Sequence, residues 1–154
     1  MNHSEFTARR CHLSSEHIID AHVSTVFPLL CPVREFDWIE KWQCEMIFSK
    51  TGVAELGCIF STFNHDDGVK DIWLISLYDV NKRIQFVRTN AIRCILYDLT
   101  LFAEGDKTRI CWQQQITSLN TQGNEFVAAV KQSDFDIQIK MLGELLNYYI
   151  KTGK

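Results

Sequence analysis

The sequence lacks any concentration of basic residues. Its 16 Lys and Arg are outnumbered by 19 Asp and Glu, which gives a formal net charge of −3 and argues against a nucleic-acid-binding stripe or a polybasic membrane patch. No apolar run approaches the roughly 20 residues that span a bilayer, and the opening "MNHSEFTARRCH" contains no apolar leader. We therefore expect a cytoplasmic protein with no nucleic-acid partner and no stable membrane insertion.

Signatures of common catalytic and metal sites are also missing. The sequence contains no H-E-x-x-H, G-x-S-x-G, P-loop or dinucleotide fingerprint, and its six cysteines include no C-x-x-C pair. We expect the cysteines to be free thiols packed as small hydrophobic side chains, with a redox or metal role as the alternative. A divalent ion could bind near "NHDDG", where the candidate ligands are His65, Asp66, Asp67 and Asp71, but this composition is also typical of a turn. The sequence therefore predicts neither a metal nor a cofactor.

The length and the aromatic content indicate one globular domain. A chain of 154 residues buries about two-thirds of its unfolded surface and needs no disulfides to fold. We expect a single domain over 1–154, in which 1–10 form a polar N-terminal extension. Four Trp and ten Phe are typical of a core that is thick or that encloses another molecule.

Periodicity and turn signals predict one strand, two short helices and six further strands. The first strand is expected over 13–22, and Ser24 is the expected N-cap of a helix that tolerates Pro28 in its early part. A second short helix is expected to start at Pro32 and to end near Trp38. The six later strands are expected in "CEMIFSKTG", "GCIFSTFNHDDG", "DIWLISLYDVNKR", "RIQFVRTNA", "IRCILYDLTLFAEGDK" and "TRICWQQQITSL". Short connections between them indicate an antiparallel meander.

The C-terminal region has the period of a long amphipathic helix over 121–151. Ser133, which has Asp136 three residues later, could mark a kink or a restart. The apolar positions that recur at helical spacing are Phe126, Val130, Ile137, Met141, Leu142, Leu145, Leu146 and Tyr149. A curved antiparallel sheet that packs around one helix leaves a cavity between them, because the sheet cannot close tightly at both ends.

The order of the elements and five short motifs carry a resemblance to a known superfamily. The motifs are "IDAHVSTVFPLL", "FDWIEKW", "VAELGCIF", "YDVNKRIQFV" and "DKTRICWQ". Together they resemble the START-like or SRPBCC superfamily over about residues 13–151, and its polyketide cyclase/dehydrase-like branch in particular. The resemblance implies an α+β helix-grip fold: a curved seven-stranded antiparallel sheet around a long C-terminal helix, with two short helices between strands 1 and 2. Members of the superfamily bind lipids, polyketides, hormones and other apolar molecules, and only some of them are enzymes.

Strand periodicity predicts the side chains that face the helix. The strands over 58–63 and 72–78 are apolar on both faces, so their orientation is less well determined. The predicted inward sets are Ile95, Tyr97, Leu99 and Leu101; Ile110, Trp112, Gln114 and Ile116; Ile84, Phe86 and Arg88; Trp73, Ile75 and Leu77; and Cys58, Phe60 and Thr62.

Two polar side chains fall on this apolar face. Arg88 is expected to meet an acid such as Glu45 or Asp71, to reach solvent at the cavity mouth, or to receive an anionic ligand group, because a buried guanidinium needs a partner. Gln114 is either a hydrogen-bonded core amide, an edge residue or a ligand contact. A few polar groups among many apolar ones are typical of a small-molecule pocket.

The stretch "CPVREFDWIEKWQC" places two tryptophans at the expected mouth of the cavity. Trp38 and Trp42 are four residues apart and share a face if a helical turn continues between them. They are either hydrophobic plugs or the wall of the pocket. The charged residues Arg34, Glu35 and Lys41 are expected in solvent.

The sequence predicts a module that binds a small hydrophobic or amphipathic molecule, lipid- or polyketide-like, between the sheet and the C-terminal helix. A cyclase/aromatase-type enzyme is the alternative, and an accessory protein-interaction domain is a second. Assembly of the chain as a homodimer is left open. The expected ligand-binding residues are Trp38, Trp42, Phe60, Thr62, Trp73, Phe86, Arg88, Tyr97, Trp112, Gln114 and Met141.

Overall fold

The computed structural model of the protein describes residues 6–40, 42–63 and 70–154. The helices and strands follow the predicted order, except that two helices replace the single C-terminal one. The strands are β1 (Arg10–Ile19), β2 (Cys44–Phe48), β3 (Ile59–Phe63), β4 (Lys70–Asp79), β5 (Arg83–Thr89), β6 (Arg93–Glu104) and β7 (Lys107–Ser118). The helices are α1 (Val23–Leu29), α2 (Pro32–Glu35), α3 (Thr121–Ala129) and α4 (Gln132–Thr152).

The strands of the described residues form one seven-stranded antiparallel sheet in the order β1-β7-β6-β5-β4-β3-β2. Strands β2 to β7 are a meander in which each pairs with the next, and the whole length of β1 pairs with β7. The sheet curves around the long helix α4, which confirms the predicted helix-grip α+β fold. None of the helices in the described ranges combines the length and apolar character that a membrane span requires.

Two predicted boundaries at the N-terminus are wrong. Strand β1 starts at Arg10 and ends at Ile19, three residues earlier than expected, because its register with β7 runs from Thr117 back to Thr108. Its first residues are too polar to signal a strand. The N-cap of α1 is His22 and not Ser24, since the His22 ring accepts a hydrogen bond from the backbone N–H of Ser24.

The helix ends also differ from their predicted positions. Helix α2 starts at Pro32 as expected but ends at Glu35, three residues before Trp38. Pro28 lies near the end of α1 and not in its early part. The C-terminal helix is interrupted at Val130 and Lys131, whose extended backbone separates α3 from α4, so the restart lies close to the kink considered at Ser133.

Helix α4 packs directly against β1 through a glycine and two side-chain amides. A methyl group at Gly143 would lie 2.2 Å from the His17 ring, so only glycine permits this approach. The Gln132 amide exchanges two hydrogen bonds with the backbone of Ser14. The Asn147 amide accepts a hydrogen bond from the backbone N–H of Asp20 and donates one to the carbonyl of Ile18. These bonds hold the helix along the edge strand.

The predicted inward sets agree with the observed burial. Leu77 and Arg88 are only partly buried, and the other members are buried. On α4 the apolar pattern is less accurate, because Ile137 is 67% exposed and the buried stripe consists of Phe135, Ile139, Gly143 and Leu146. A stripe at spacings of four and three residues points one side of α4 at the sheet.

Candidate functional site

A cavity of about 450 Å³ lies between the sheet and α4, close to the turn that follows α2. Ten of the eleven predicted site residues line it, and Gln114 does not. Their contact with a ligand stays a prediction. The predicted residues on its wall are Trp38, Trp42, Phe60, Thr62, Trp73, Phe86, Arg88, Tyr97, Trp112 and Met141.

Hydrogen bonds to backbone carbonyls fix the two tryptophans that follow α2. The Trp38 indole N–H donates to the carbonyl of Leu29 at 2.7 Å, and the Trp42 indole N–H donates to that of Pro32 at 2.9 Å. Both rings line the cavity although the helix has ended before them. A satisfied indole N–H leaves the ring itself free to form an apolar wall.

A cluster of aromatic rings centred on Trp73 forms the sheet side of the cavity. Its indole N–H donates to the Thr62 hydroxyl at 2.8 Å, which fixes the ring orientation. The ring stacks on Phe60 at a centroid distance of 5.3 Å and on Tyr97 at 6.3 Å, and Phe86 meets it edge-on at 5.6 Å. Offset and edge-on pairs of this kind add stability beyond the area they bury.

Arg88 enters the cavity wall from β5 and pairs with Asp71, one of the two acids expected for it. Its Nε donates to the Asp71 carboxylate, and its guanidinium lies 4.6 Å from the centre of the Trp73 ring. Asp71 is fully buried and also accepts hydrogen bonds from Arg93 and Asn90. Asp71 is thus engaged by two guanidinium groups and an amide, which fixes the position of Arg88.

Gln114 faces a different cavity from the one that sequence reasoning assigned to it. It is buried and lines a second cavity of about 430 Å³ next to the start of α4. Arg88 and Gln138 line both cavities, so the two adjoin. The alternation of β7 predicted the correct face of the sheet for Gln114, but it could not distinguish two positions along that face.

Glu35 is a cavity residue that sequence reasoning placed in solvent, and that prediction is wrong. The last residue of α2 is half-buried and lines the cavity. Burial raises the pKa of its carboxyl group from 4.5 to about 8, so the group is mostly protonated at neutral pH. No local pattern indicated this burial, because α2 ends at Glu35 and its helical spacing does not continue to Trp38. Arg34 is exposed and pairs with Asp37, as expected for a solvent-facing residue, whereas Lys41 lies outside the described residues.

The Tyr97 phenol interacts electrostatically with two ionisable groups of the wall, Arg88 and Glu35. Burial raises the pKa of its phenol well above the ordinary value of 10. The nearby Arg88 guanidinium acts to lower this pKa, and the Glu35 carboxyl acts to raise it. The Tyr97 hydroxyl therefore stays protonated at neutral pH, and it shares a hydrogen bond with the Gln114 amide.

The thiols and the proposed metal ligands contribute no assembled centre among the described residues. All six cysteines are free, as expected, and burial raises the pKa of Cys31 and of Cys44 to about 11, which keeps both in the thiol form. Asp71 is engaged by arginines, whereas His65, Asp66 and Asp67 lie outside the described residues.

Solved structures share this architecture at low sequence identity. An uncharacterised protein from Rhizobium leguminosarum matches 94% of this chain and 97% of its own with a TM-score of 0.65 at 17% identity. CalU16 from Micromonospora echinospora matches 96% of this chain and 88% of its own with a TM-score of 0.58 at 14% identity. Norcoclaurine synthase from Thalictrum flavum, in complex with a transition-state analogue, matches 94% and 99% with a TM-score of 0.64 at 11% identity.

Comparison of the sequence with known families and curated proteins gives no match, in contrast to the comparison of structures. No model of a known protein family matches the chain, and neither does any curated protein sequence. At these identities the structural likeness shows the helix-grip fold. In this chain the cavity lies between the sheet and the helix of that fold.

Proposed function

We propose that this protein binds a small hydrophobic or amphipathic molecule, lipid- or polyketide-like in character, in the cavity between its sheet and α4. The observation that carries the proposal is a cavity of about 450 Å³ lined by aromatic rings and a few polar groups. Ligand pockets have volumes of about 300–1,000 Å³ and this mixture of lining groups. The START-like resemblance of the sequence motifs supports the same function.

Native mass spectrometry of the protein purified from its own host tests the proposal. We expect an additional mass that dissociates on activation, and we expect Leu142→Trp to lose it because the larger ring fills the cavity from α4. Ile137→Trp is the matched control, since it adds the same ring to an exposed position of the same helix. A wild-type protein without a bound mass, or equal retention by both variants, would contradict the proposal.

A cyclase-type enzyme is the second candidate function. The observation that favours it is that the Tyr97 hydroxyl, the Arg88 guanidinium and the protonated Glu35 carboxyl share one apolar cavity. Such groups can hold a chain of carbonyls in a folded conformation and exchange protons with it. The fold also occurs in norcoclaurine synthase, which its name identifies as an enzyme.

Tyr97→Phe separates this second function from binding alone. If the protein cyclises a poly-carbonyl substrate, loss of the hydroxyl should lower turnover by about 100-fold or more while the bound mass is retained. Tyr148→Phe, which removes a hydroxyl from an exposed position on α4, should leave turnover unchanged. Unchanged turnover in Tyr97→Phe would remove the hydroxyl from the mechanism.

A further inference from the structure

Glu35 presents a carboxyl group to the cavity for which the described residues supply no counter-charge. None of them donates a hydrogen bond to this carboxyl or forms an ion pair with it. Arg88, the guanidinium on the same wall, is held by Asp71 and lies over the Trp73 ring. A partly desolvated carboxyl in this position is stabilised in its charged form by a positive charge that approaches from the cavity.

The aromatic rings that line the cavity with Glu35 also favour a positively charged ligand group. All four tryptophans of the chain line the cavity, together with Phe60 and Phe86. The faces of aromatic rings carry negative partial charge, and tryptophan attracts organic cations most strongly. A carboxyl group beside several tryptophans is a combination that recognises ammonium groups rather than anions.

We propose that the molecule bound in this cavity is an organic cation, whose positively charged nitrogen lies beside Glu35 and whose apolar body packs against the tryptophan rings. This inference rests on the proposed binding function and names the chemical class of the ligand. A quaternary ammonium or a protonated amine with a hydrocarbon or aromatic body fits the description. The cation provides the counter-charge that Glu35 lacks among the described residues.

Binding of such a cation is coupled to the loss of a proton. The free carboxyl has a pKa of about 8, so a cation that pairs with the carboxylate must displace its proton at neutral pH. Within 6–40, 42–63 and 70–154, the other titratable or charged groups that line the cavity or interact with Glu35 are Cys31, Cys44, Tyr97, Glu40 and Arg88. The raised pKa values of the two thiols and of the phenol keep these groups protonated up to pH 9. No histidine of the described residues lines this cavity.

Calorimetric titration with three probes of equal chain length tests the inference on the full-length protein. The probes are octyltrimethylammonium, 1-octanol and octanoate, each titrated at pH 6, 7.5 and 9. The charge of the quaternary ammonium does not change with pH, so any dependence comes from the protein. We expect its affinity to rise about 50- to 100-fold from pH 6 to pH 9, as Glu35 ionises, and that of octanol to stay constant.

A second readout and two variants attribute the effect to Glu35. At pH 7 in buffers of different ionisation enthalpy, we expect about 0.9 protons to be released for each ammonium bound and none for each octanol. Glu35→Gln should abolish both the pH dependence and the proton release. Glu144→Gln removes an exposed carboxyl of α4 that does not line the cavity and should preserve both.

The outcomes separate this inference from the binding function. If octanol binds and the ammonium shows no pH dependence or proton release in the wild-type protein, the inference is wrong while the binding function stands. Tighter binding of octanoate than of the ammonium at pH 7.5 or 9 would overturn it as well. If none of the three probes binds, the cavity does not accept apolar molecules and both proposals fail.

Discussion

Replacement of Asp71 by alanine is expected to lower the free energy of unfolding by about 3–5 kcal/mol, because it removes a buried carboxylate that accepts hydrogen bonds from two buried or partly buried guanidinium groups. Asp71 is fully buried on β4, and its oxygens accept hydrogen bonds from Arg88 on β5 and from Arg93 on β6. The carboxylate therefore ties three adjacent strands together at the end of the cavity. Urea unfolding followed by circular dichroism measures the change.

An exposed ion pair of the same chain provides the control. Asp37 pairs with Arg34, and both side chains are more than 40% exposed, so Asp37→Ala should cost less than about 1 kcal/mol. If both alanine variants lose the same small amount of stability, the network around Asp71 contributes no more than a surface pair. Restoring stability by adding Arg88→Met to Asp71→Ala would show that the unpaired charge causes the loss.

The stability of the wild-type protein should decline by about 3–4 kcal/mol between pH 5 and pH 9 as a result of Glu35 alone. Its pKa is about 8 in the folded protein and 4.5 in the unfolded chain. Between these values the folded state retains a proton that the unfolded state has released, so raising the pH favours unfolding. The stabilisation is fully present below pH 4.5 and is lost as the pH rises through 8.

Urea titrations of the wild type and Glu35→Gln at pH 5, 7 and 9 measure this contribution. The glutamine has the same shape and no titratable group, so its stability should exceed that of the wild type by an increasing margin as the pH rises. Glu40→Gln should follow the wild-type curve, because Glu40 is exposed. Parallel curves for the wild type and Glu35→Gln would show that the Glu35 carboxyl is not desolvated in the folded protein.

Local periodicity was sufficient to predict the sheet and the wall that it contributes to the cavity. Alternation in β6 and β7 identified the correct face for Tyr97 and Trp112, because one face of each strand must be buried and a shift of one residue would expose it. Alternation left β4 ambiguous because both of its faces contain apolar residues, and the favoured inward position of Trp73 agrees with its burial. Strand patterns are informative here because each strand from β2 to β7 pairs with its neighbour in sequence along most of its length.

Features that depend on tertiary contacts could not be read in this way. The early end of α2 and the burial of Glu35 arise where the following turn packs against the sheet, and charge alone indicated a solvent-exposed residue. The break at Val130 falls within a continuous apolar pattern, and no proline or glycine marks it. Strand β1 begins in a polar stretch because its partner is β7, where Arg10 pairs with Thr117, 107 positions later in the chain.

The positions of the tryptophans give the protein a built-in optical reporter. Trp38, Trp42, Trp73 and Trp112 are the four tryptophans of the chain, and all of them line the same cavity. Indole emission excited at the red edge of the absorption band therefore originates entirely from side chains around this one space. A molecule that enters the cavity, or a proton that leaves Glu35, changes the surroundings of the emitting groups without a dye, a label or a substitution.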